Sequence, residues 1–593
     1  MRQVLLASAV LGCALALATP RARAGGLEYA GQGAQALGRG GAVTARADDP
    51  MVLSYNPAGL AELRGSQLMF NANLALMHAC YDPAGYYGWG VYLGGQQNAQ
   101  LRDQLTGETR TLHFADSQAA TETYYSDPLD TVCMKEHVTP IPQLAWTARL
   151  SEKLGIGAGL IFPAVTPSGA WGGPSGSIHG KSGELRPAPS RYMLLDSANL
   201  GVFPTVGIGY RLLDRVRIGG AFEWGIIAVN NYTMASSNGG TTPTFDIVAH
   251  TKAQDWFIPA FTASVHFVPI DSIDIVGAFR WQDDLKAKGD IDLTTGIFDP
   301  KLVPYTTGQL PISSLTQHMP WKIRGGIRYA DRFAPRPRGS GSSEADPASP
   351  EVIHDALQDE RFDVEIDAEY ELNSRNDQQV LTYPLQNVLF KSADPSKPIS
   401  MAMAPTRTVI EKHWKDQLSL QAGGTFNVVP GKFGLSAGVH WENRGIDPSY
   451  MQIDFWPVSR LGLHGGVIVR VAKAIDLVAS FAHIFQETII AEPPPDQDRG
   501  VIASCYAGTA QDPSVCLAPP GKIGAIDKSA GPLLSRGMNP PKLEAPSQGT
   551  PDGRAKLQQQ LTTSAANQPP YIINSGRYRS NIDVIAAGIN VHF

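Results

Sequence analysis

The sequence predicts an all-β protein, a 14-stranded antiparallel transmembrane β-barrel. Three observations lead to this fold class. Segments of about 15 residues alternate apolar and polar side chains, which suits strands that cross a bilayer at a tilt. The connections between these segments are alternately short and long, as in outer-membrane barrels. The chain ends in one more amphipathic strand that closes on Phe593, which resembles the signal that such barrels present to the barrel assembly machinery.

The first 24 residues read as a signal peptide. Arg2 supplies a charged start, residues 4–18 form an uncharged apolar run, and residues 22–24 fit the small-x-small cleavage rule. The apolar run is short for a membrane span. Cys13 raises lipid attachment as an alternative, but it lies inside the apolar run and its surroundings match a lipidation box poorly. We therefore expect an exported mature chain that begins at Gly25.

Composition argues against several classes of protein. The chain has 593 residues, with 49 Lys and Arg against 55 Asp and Glu, and its net charge of −6 argues against nucleic-acid binding. After the signal peptide, no stretch reaches the ~20 uninterrupted apolar residues that a spanning helix needs. The sequence has no P-loop, nucleophile elbow or CxxC motif, and its histidines lack metal-ligand spacing. We expect no enzyme activity, no cofactor and no metal.

Period-two alternation recurs in an even number of segments, as bacterial barrels require. In one of them Leu435, Ala437 and Val439 share a face, while Ser436 and His440 share the other. The predicted strands are 66–79, 139–151, 153–168, 197–213, 214–230, 251–269, 271–288, 317–331, 360–375, 411–429, 431–446, 457–472, 474–490 and 577–593.

Loop lengths give the orientation of the predicted barrel. Short periplasmic turns and long outer loops are the rule for this architecture. Turn 332–359 departs from the rule, because it falls on the periplasmic side and yet is long and rich in Pro, Ser and Gly. The long outer connections are 80–138, 169–196, 231–250, 289–316, 376–410 and 491–576.

Four cysteines remain after the signal peptide, an even number that favours disulfides in an exported protein. Four cysteines allow three pairings. We favour Cys80–Cys133 and Cys505–Cys516, because each pair brackets one long irregular segment. Free thiols are the alternative.

The third strand contains a candidate opening in the wall. Gly155, Gly157 and Gly159 face the lumen, so a strip of the interior lacks side chains, while Phe162 falls on the lipid face. Pro163 has no N–H to donate to a neighbouring strand, and proline is normally excluded from central strands. We expect a kink between Gly159 and Pro163. In the alternative interpretation, the glycines make room for another segment of the chain inside the barrel and the proline only ends the strand.

Charged residues of neighbouring strands form a candidate ladder in the lumen. Opposite charges across a strand pair attract, so we favour a structural salt-bridge ladder over a binding site for a carboxylate headgroup. Better headgroup candidates are Arg280, Arg460 and Arg470, and candidate apolar contacts are Trp171, Phe203 and Trp456. The ladder consists of Lys322, Arg324 and Arg328 facing Asp363, Glu365, Asp367, Glu369 and Glu371.

The stretch LGRGGAVTARADDPMVLSYNPAGLAEL at residues 37–63 resembles the N-terminal hatch of the FadL family, outer-membrane transporters of long-chain fatty acids and other hydrophobic compounds. Asn56, Pro57 and Ala58 match the NPA signature of that hatch. The resemblance implies a signal peptide (1–24), a hatch that plugs the lumen (25–65) and a barrel with long outer loops (66–593). It also implies passive uptake: capture at the outer loops, transfer through the lumen and lateral exit at the kinked third strand.

The resemblance sets the expected partners and the alternatives. We expect a monomer in the bacterial outer membrane, surrounded by its lipid and lipopolysaccharide, with a fatty acid or similar hydrophobic molecule as ligand. An aromatic-hydrocarbon channel of the same family is one alternative, and a surface adhesin that acts through the large loops is another. A lipid-acting barrel enzyme would need a Ser, His and acid set, and the sequence offers none.

Overall fold

The computed structural model describes residues 28–83, 98–102, 109–113, 129–135, 138–163, 169–179, 185–236, 246–295, 305–333, 355–384, 387–392, 394–403, 407–491, 574 and 576–593. The strands are β1 Ser66–Pro83, β2 Asn98–Arg102, β3 Thr109–His113, β4 Val132–Cys133, β5 Val138–Arg149, β6 Leu154–Ile161, β7 Ser177–His179, β8 Leu185–Pro187, β9 Asp196–Ser197, β10 Leu200–Leu213, β11 Val216–Ser236, β12 Asp246–Ile270, β13 Ile273–Gln282, β14 Leu285–Thr295, β15 Tyr305–Gln317, β16 Lys322–Arg332, β17 Glu360–Glu371, β18 Gln378–Thr382, β19 Asn387–Ser392, β20 Ser400–Met403, β21 Arg407–Glu411, β22 Gln417–Val429, β23 Phe433–Glu442, β24 Arg460–Ala472, β25 Ile475–Gln486, β26 Ile489–Ala491 and β27 Gly576–His592.

Helices in the described residues are short. Ala34–Gly38, Val52–Tyr55 and Ala356–Asp359 are α-helical, and Pro57–Ala61, Asn373–Arg375 and Pro448–Tyr450 are 3-10 helices. In this part of the chain no helix has both the length and the apolar character needed to cross a membrane.

The strands close into a 14-stranded antiparallel barrel, as predicted. The first strand, β1, pairs with the last, β27, from Gln67↔His592 to Pro83↔Gly576, and on its other side it pairs with β5. Several crossings consist of two strands in line, such as β13 with β14 and β17 with β18. Closure leaves the sheet without a free edge along most of its length, which satisfies the backbone in lipid.

The outer face of the wall is apolar. Exposed side chains such as Phe70, Ile208, Ile327 and Phe481 alternate with buried positions along their strands. Exposure of large apolar groups in this alternating pattern is the lipid-facing signature of a transmembrane barrel. The inward positions of the same strands therefore determine what the lumen can hold.

Several connections that the sequence predicts to be long loops contain strands. Segments 289–316 and 376–410 carry parts of β14 and β15 and all of β18, β19 and β20, and segment 80–138 carries β2, β3 and β4. β14 continues the ladder of β12, and β18 continues that of β15, so the wall extends beyond the length that a bilayer requires. The third strand differs in the opposite direction, because β6 ends at Ile161 rather than at residue 168.

Residues 28–65 lie inside the barrel and are called the N-terminal segment below. Its first helix packs against β23, β24, β25 and β27, and its 3-10 helix packs against β6, β10, β11 and β12. The buried residues of the segment include Leu37, Val52, Leu53 and Leu60. The segment thus touches the wall on opposite sides of the lumen.

The outer half of the lumen contains an apolar cluster, where the period-two pattern predicts polar side chains. Loop residue Trp171 stacks on Trp456 from another loop, with ring centroids 5.9 Å apart, and Tyr578 of β27 contacts Trp456 edge-on at 5.8 Å. The inward residues Ile582 and Val584 belong to the same cluster, which also contains Tyr29 and Leu37 of the N-terminal segment. Methionines of this cluster are Met77, Met134, Met193, Met234 and Met451.

Candidate functional site

The N-terminal segment is bound to the wall by buried ion pairs with β17. Arg39 donates two hydrogen bonds to the Asp363 carboxylate, at 2.9 and 2.6 Å, and Arg46 donates a third at 2.6 Å. Arg328 of β16 also donates to Asp363 at 2.9 Å. One buried carboxylate therefore holds three guanidinium groups, two of them from the segment.

The next two acids of β17 bind the backbone of the segment. Asp367 accepts hydrogen bonds from the N–H groups of Val43, at 3.0 Å, and Thr44, at 2.9 Å, and Glu365 accepts one from the N–H of Ala45. Carboxylates that accept backbone N–H bonds satisfy donors that would otherwise be buried without partners. This set of contacts, from Arg39 to Arg46 on one side and Asp363 to Asp367 on the other, is called the acidic anchor below.

The remaining ladder residues pair within the wall as the alternation predicts. Lys322 is the register partner of Glu371, and Arg324 is the register partner of Glu369. The Arg324 guanidinium contacts the Glu369 carboxylate. The predicted ladder is thus divided: the end with Asp363 and Glu365 binds the N-terminal segment, and the end with Lys322 and Arg324 joins a pocket described below.

The NPA signature lies where the N-terminal segment meets the wall. The Asn56 side chain donates to the carbonyl of Thr44 at 2.9 Å, which ties the segment to itself. Pro57 begins the 3-10 helix, and the N–H of Ala58 donates to the Ser264 hydroxyl of β12 at 2.8 Å. The signature therefore fixes one turn of backbone against β12.

Glycines on the inward face let the N-terminal segment touch the wall backbone. A Cβ at Gly155 would overlap the Leu60 carbonyl, and one at Gly157 would meet Leu60 and Leu53. Gly159 points differently, since its Cβ would meet the backbone of β5. Further glycines with close approaches to the segment, which we did not single out in the sequence because isolated glycines carry no local signal, are Gly207, Gly209, Gly219, Gly423 and Gly438.

Replacing Gly155 by alanine is expected to loosen this packing. The added methyl group collides with a backbone carbonyl, which cannot move aside as a side chain can, and overpacking of this kind costs about 1–3 kcal/mol. Hydrogen exchange of residues 52–62 should accelerate in the Gly155→Ala protein. Gly277→Ala is the matched control, because nothing lies within 4 Å of the added atom there; equal exchange in both variants would contradict the close fit.

The third strand leaves the wall where the N-terminal segment touches it. After Ile161, the Phe162 N–H donates to the Gln143 side chain at 2.9 Å, and the Phe162 carbonyl accepts from Gln143 and from Gln32 of the segment, at 2.6 and 2.8 Å. Side chains thus replace the sheet partners. Phe162 packs against the interior apolar cluster, so its predicted lipid-facing position is wrong: the alternation ends one residue earlier, at Ile161.

A gap in strand pairing follows from the early end of β6. Pairing of β6 with β5 ends at Gln143↔Ile161 and pairing with β10 ends at Phe203↔Ile161. Beyond these points, residues 138–142 pair only with β1 and residues 200–202 only with β11, within the described part of the chain. Pro140 and Pro142 lie on this stretch of β5, and proline is typical of strand edges.

A pocket in the lumen lies beside this gap. Ile161, Pro163 and Phe203 line it on the gap side, and Tyr55, Ser54 and Gln32 line it from the N-terminal segment. Its other side carries three cations of the barrel wall, Arg280, Lys322 and Arg324, with the wall acid Glu223 and with Glu28 of the N-terminal segment. The pocket thus combines an apolar side next to the gap with a charged side across the lumen.

Of the predicted headgroup candidates, only Arg280 lines this pocket. Its guanidinium binds both oxygens of Glu223. Arg460 is fully buried outside the pocket and donates to the backbone carbonyls of Glu28, at 2.6 Å, and Trp456, at 2.9 Å. Arg470 pairs with Asp355 and Asp476. Arg460 and Arg470 therefore lie outside the pocket, and their role as headgroup contacts stays a prediction.

Two acids of the N-terminal segment have pKa values that differ from their ordinary ones. Burial raises the pKa of Asp49, and the adjacent Asp48 carboxylate adds to the rise, to about 7. Burial acts in the same direction on Glu28, but the Lys322 ammonium outweighs it with help from Arg280 and keeps the pKa of Glu28 below its ordinary value. Glu28 is therefore ionised at neutral pH.

Cys80 and Cys133 form a disulfide that joins β1 to β4. Cys505 and Cys516 lie outside the described residues, as do residues 1–24, which the sequence predicts to be a signal peptide, and residues 334–354 of the turn predicted to be periplasmic. Within the described residues, no group of three or more His, Cys, Asp or Glu side chains is arranged to hold a metal ion.

Comparison with known proteins supports the fold. No family model and no curated protein matches the chain. A FadL homologue from Pseudomonas aeruginosa has 12% sequence identity and a TM-score of 0.56, over 96% of this chain and 100% of that one. The CymD monoaromatic hydrocarbon channel has 11% identity and a TM-score of 0.48, over 95% and 98%. The Pseudomonas putida toluene transporter TodX has 11% identity and a TM-score of 0.47, again over 95% and 98%. At such identities the first similarity establishes a shared fold and nothing about substrate.

Proposed function

We propose that this chain is a FadL-type transporter of the bacterial outer membrane, which takes up long-chain fatty acids or similar hydrophobic compounds without an energy source. The ligand is captured at the outer loops, passes into the lumen and leaves sideways into the bilayer at the end of the third strand. The N-terminal segment acts as the hatch that closes the direct way to the periplasm.

The observation that carries this proposal is the position of the lumen pocket. It lies between the N-terminal segment and the gap beside β6, with Phe203 and Pro163 on the side of the gap. A molecule in this pocket contacts apolar side chains on its way to the lipid, and the N-terminal segment lies below it. A general water-filled pore would need neither the gap nor the blocked lumen.

The apolar cluster of the outer lumen supports a path for hydrophobic molecules toward the pocket. Its loop residues and methionines can repack around a ligand, because methionine is unbranched and polarizable. Each buried methylene of a ligand gains about 0.8 kcal/mol relative to water. Transfer of the ligand from water into this cluster and then into lipid therefore lowers its free energy and needs no coupling to another process.

The cellular setting follows from the same proposal. The apolar outer face suits a protein that sits in outer-membrane lipid with lipopolysaccharide around its outer end. The terminal strand supports recognition by the barrel assembly machinery. A closed barrel with its pocket inside one chain needs no second copy, so the working unit is a monomer. The reaction is transport and involves no bond chemistry.

The proposal is tested by uptake in a bacterial strain that lacks its own channel for hydrophobic compounds. Expression of this protein should confer uptake of radiolabelled oleate. Phe203→Ser, which removes the apolar side of the pocket, should lower uptake about tenfold, since a buried Phe is worth about 1.5–3 kcal/mol. Phe333→Ser is the matched control, because Phe333 is half-exposed and lies outside the pocket.

The outcomes separate the candidate functions. Uptake of oleate that falls only in the Phe203 variant supports the proposal. Uptake of toluene without oleate would favour an aromatic-hydrocarbon channel instead. If neither compound enters, and cells that carry the protein attach to surfaces equally well with or without residues 25–60, the protein is an adhesin and the transport proposal is wrong.

A further inference from the structure

One carboxylate in the lumen pocket comes from the N-terminal segment rather than from the wall. Glu28 Oε2 lies 2.9 Å from the Lys322 ammonium and accepts its hydrogen bond. Two wall acids lie farther from the same ammonium, Glu371 at 3.5 Å and Glu369 at 3.7 Å. Glu28 is thus the nearest acceptor for Lys322.

The other two cations of the pocket are held by acids that belong to the sheet. Arg280 binds Glu223 of β11 through two of its nitrogens, and Arg324 binds Glu369 of β17. Both acids are anchored by strand backbone. Glu28 precedes the first helix of the segment, and its side chain is 35% exposed, whereas Lys322 is 9% exposed. Among the carboxylates of the pocket, Glu28 is therefore the one best able to leave.

The charge balance of the pocket decides how an anion can enter. The three cations Arg280, Lys322 and Arg324 form ion pairs with four carboxylates. Two of these, Glu28 and Glu223, line the pocket itself, and the other two, Glu369 and Glu371, contact its cations without lining it. A fifth carboxylate would add an unbalanced negative charge in a poorly solvated site, which is costly. Replacement of Glu28 by another carboxylate leaves the balance unchanged. An anionic ligand is thus accepted by exchange and not by addition.

The backbone of Glu28 is positioned so that the side chain can move alone. Its carbonyl accepts a hydrogen bond from the buried Arg460 at 2.6 Å, which holds the residue while the carboxylate turns away. Gln32, a little further along the segment, donates to the Phe162 carbonyl at the end of β6. The exchange therefore takes place beside the gap through which the proposed function has the ligand leave.

We propose that the Glu28 carboxylate is an internal occupant of the headgroup position, and that an amphipathic carboxylate displaces it from Lys322 when it binds. This inference rests on the proposed function and narrows it. A ligand with an anionic head competes with Glu28, whereas a neutral hydrophobic molecule binds the apolar side of the pocket without touching that ion pair.

Binding of palmitate and hexadecanol to the full-length protein in lipid nanodiscs tests the exchange. Glu28→Gln removes the competitor and should tighten palmitate binding about tenfold, as expected for loss of one charge-assisted contact from the unbound state. Hexadecanol binding should stay the same. Glu62→Gln is the matched control, because Glu62 is also an acid of the N-terminal segment and pairs with a wall arginine, Arg217, away from the pocket.

Lys322 completes the test as a double-mutant cycle. Lys322→Gln should weaken palmitate binding, and Glu28→Gln should give no gain in that background. A gain that persists without Lys322, equal gains for palmitate and hexadecanol, or no gain at all would overturn the exchange. If hexadecanol binds and Glu28→Gln does not change palmitate binding, only the exchange fails. If neither compound binds any variant, the proposed function itself fails.

Discussion

Replacing Asp363 by asparagine is expected to release the N-terminal segment from the barrel wall. The substitution leaves Arg39, Arg46 and Arg328 without the carboxylate that they share in a buried site. Removal of one partner from a buried ion pair costs about 3–5 kcal/mol when the remaining charge is left unpaired. We expect the lower end of that range, because Arg39 keeps Glu365, Arg46 keeps Asp48 and Arg328 keeps Glu360 as second partners. Hydrogen exchange of residues 34–47 in the full-length protein should accelerate strongly, and single-channel conductance should rise as the lumen opens.

A surface ion pair on the same two strands provides the control. Asp331 and Arg361 approach to 3.7 Å, and their side chains are 32% and 60% exposed. Such exposed pairs contribute about 0–1 kcal/mol, so Asp331→Asn should leave exchange and conductance unchanged. If Asp363→Asn also leaves them unchanged, the arginine pairs of the acidic anchor do not hold the segment, and its backbone contacts to Asp367 and Glu365 would have to do so alone.

The acidic anchor also shows which contacts the alternation of residues can predict and which it cannot. Alternation places five acids of β17 on one face, and the neighbouring strand supplies bases in the matching register, so the ladder is predictable from local period and strand order. Arg39 and Arg46 are separated from Asp363 by more than three hundred residues. No period connects them. Only the three-dimensional position of the segment reveals that part of the ladder serves it.

The wall was predictable for a related reason. Each strand contacts its sequence neighbours, and period two with turn residues is sufficient to order them. Prediction failed where other elements entered the lumen. Ile582 and Val584 are buried in an apolar cluster that includes residues of the loops and of the N-terminal segment, which local alternation does not locate. The glycines opposite Leu60 and Ala58 likewise have meaning only with the segment in place. The rule that inward-facing positions are polar holds where water or charged groups fill the lumen.

Closing the gap beside the third strand is expected to stop uptake. A Cβ built on Gly201 lies 3.5 Å from Cγ of Pro163, so side chains at these two positions are in van der Waals contact. Cysteines at both positions should therefore bridge the end of β6 to β10 on oxidation. Uptake of oleate by cells with the oxidised Pro163→Cys, Gly201→Cys protein should fall more than about tenfold, because the ligand then has no lateral exit.

The matched control bridges two strands that are already paired. Leu435 of β23 and Val467 of β24 are register partners, so a disulfide there adds the same chemistry without closing an opening. Reductant also breaks the native Cys80–Cys133 disulfide. The wild-type protein treated with reductant therefore shows how much of any change in uptake comes from that native bond. A ligand that passed downward would have to move the N-terminal segment and its acidic anchor, and the Pro163–Gly201 bridge would not slow it. Unchanged uptake with a complete bridge therefore assigns the exit to the periplasmic side and rejects the lateral route.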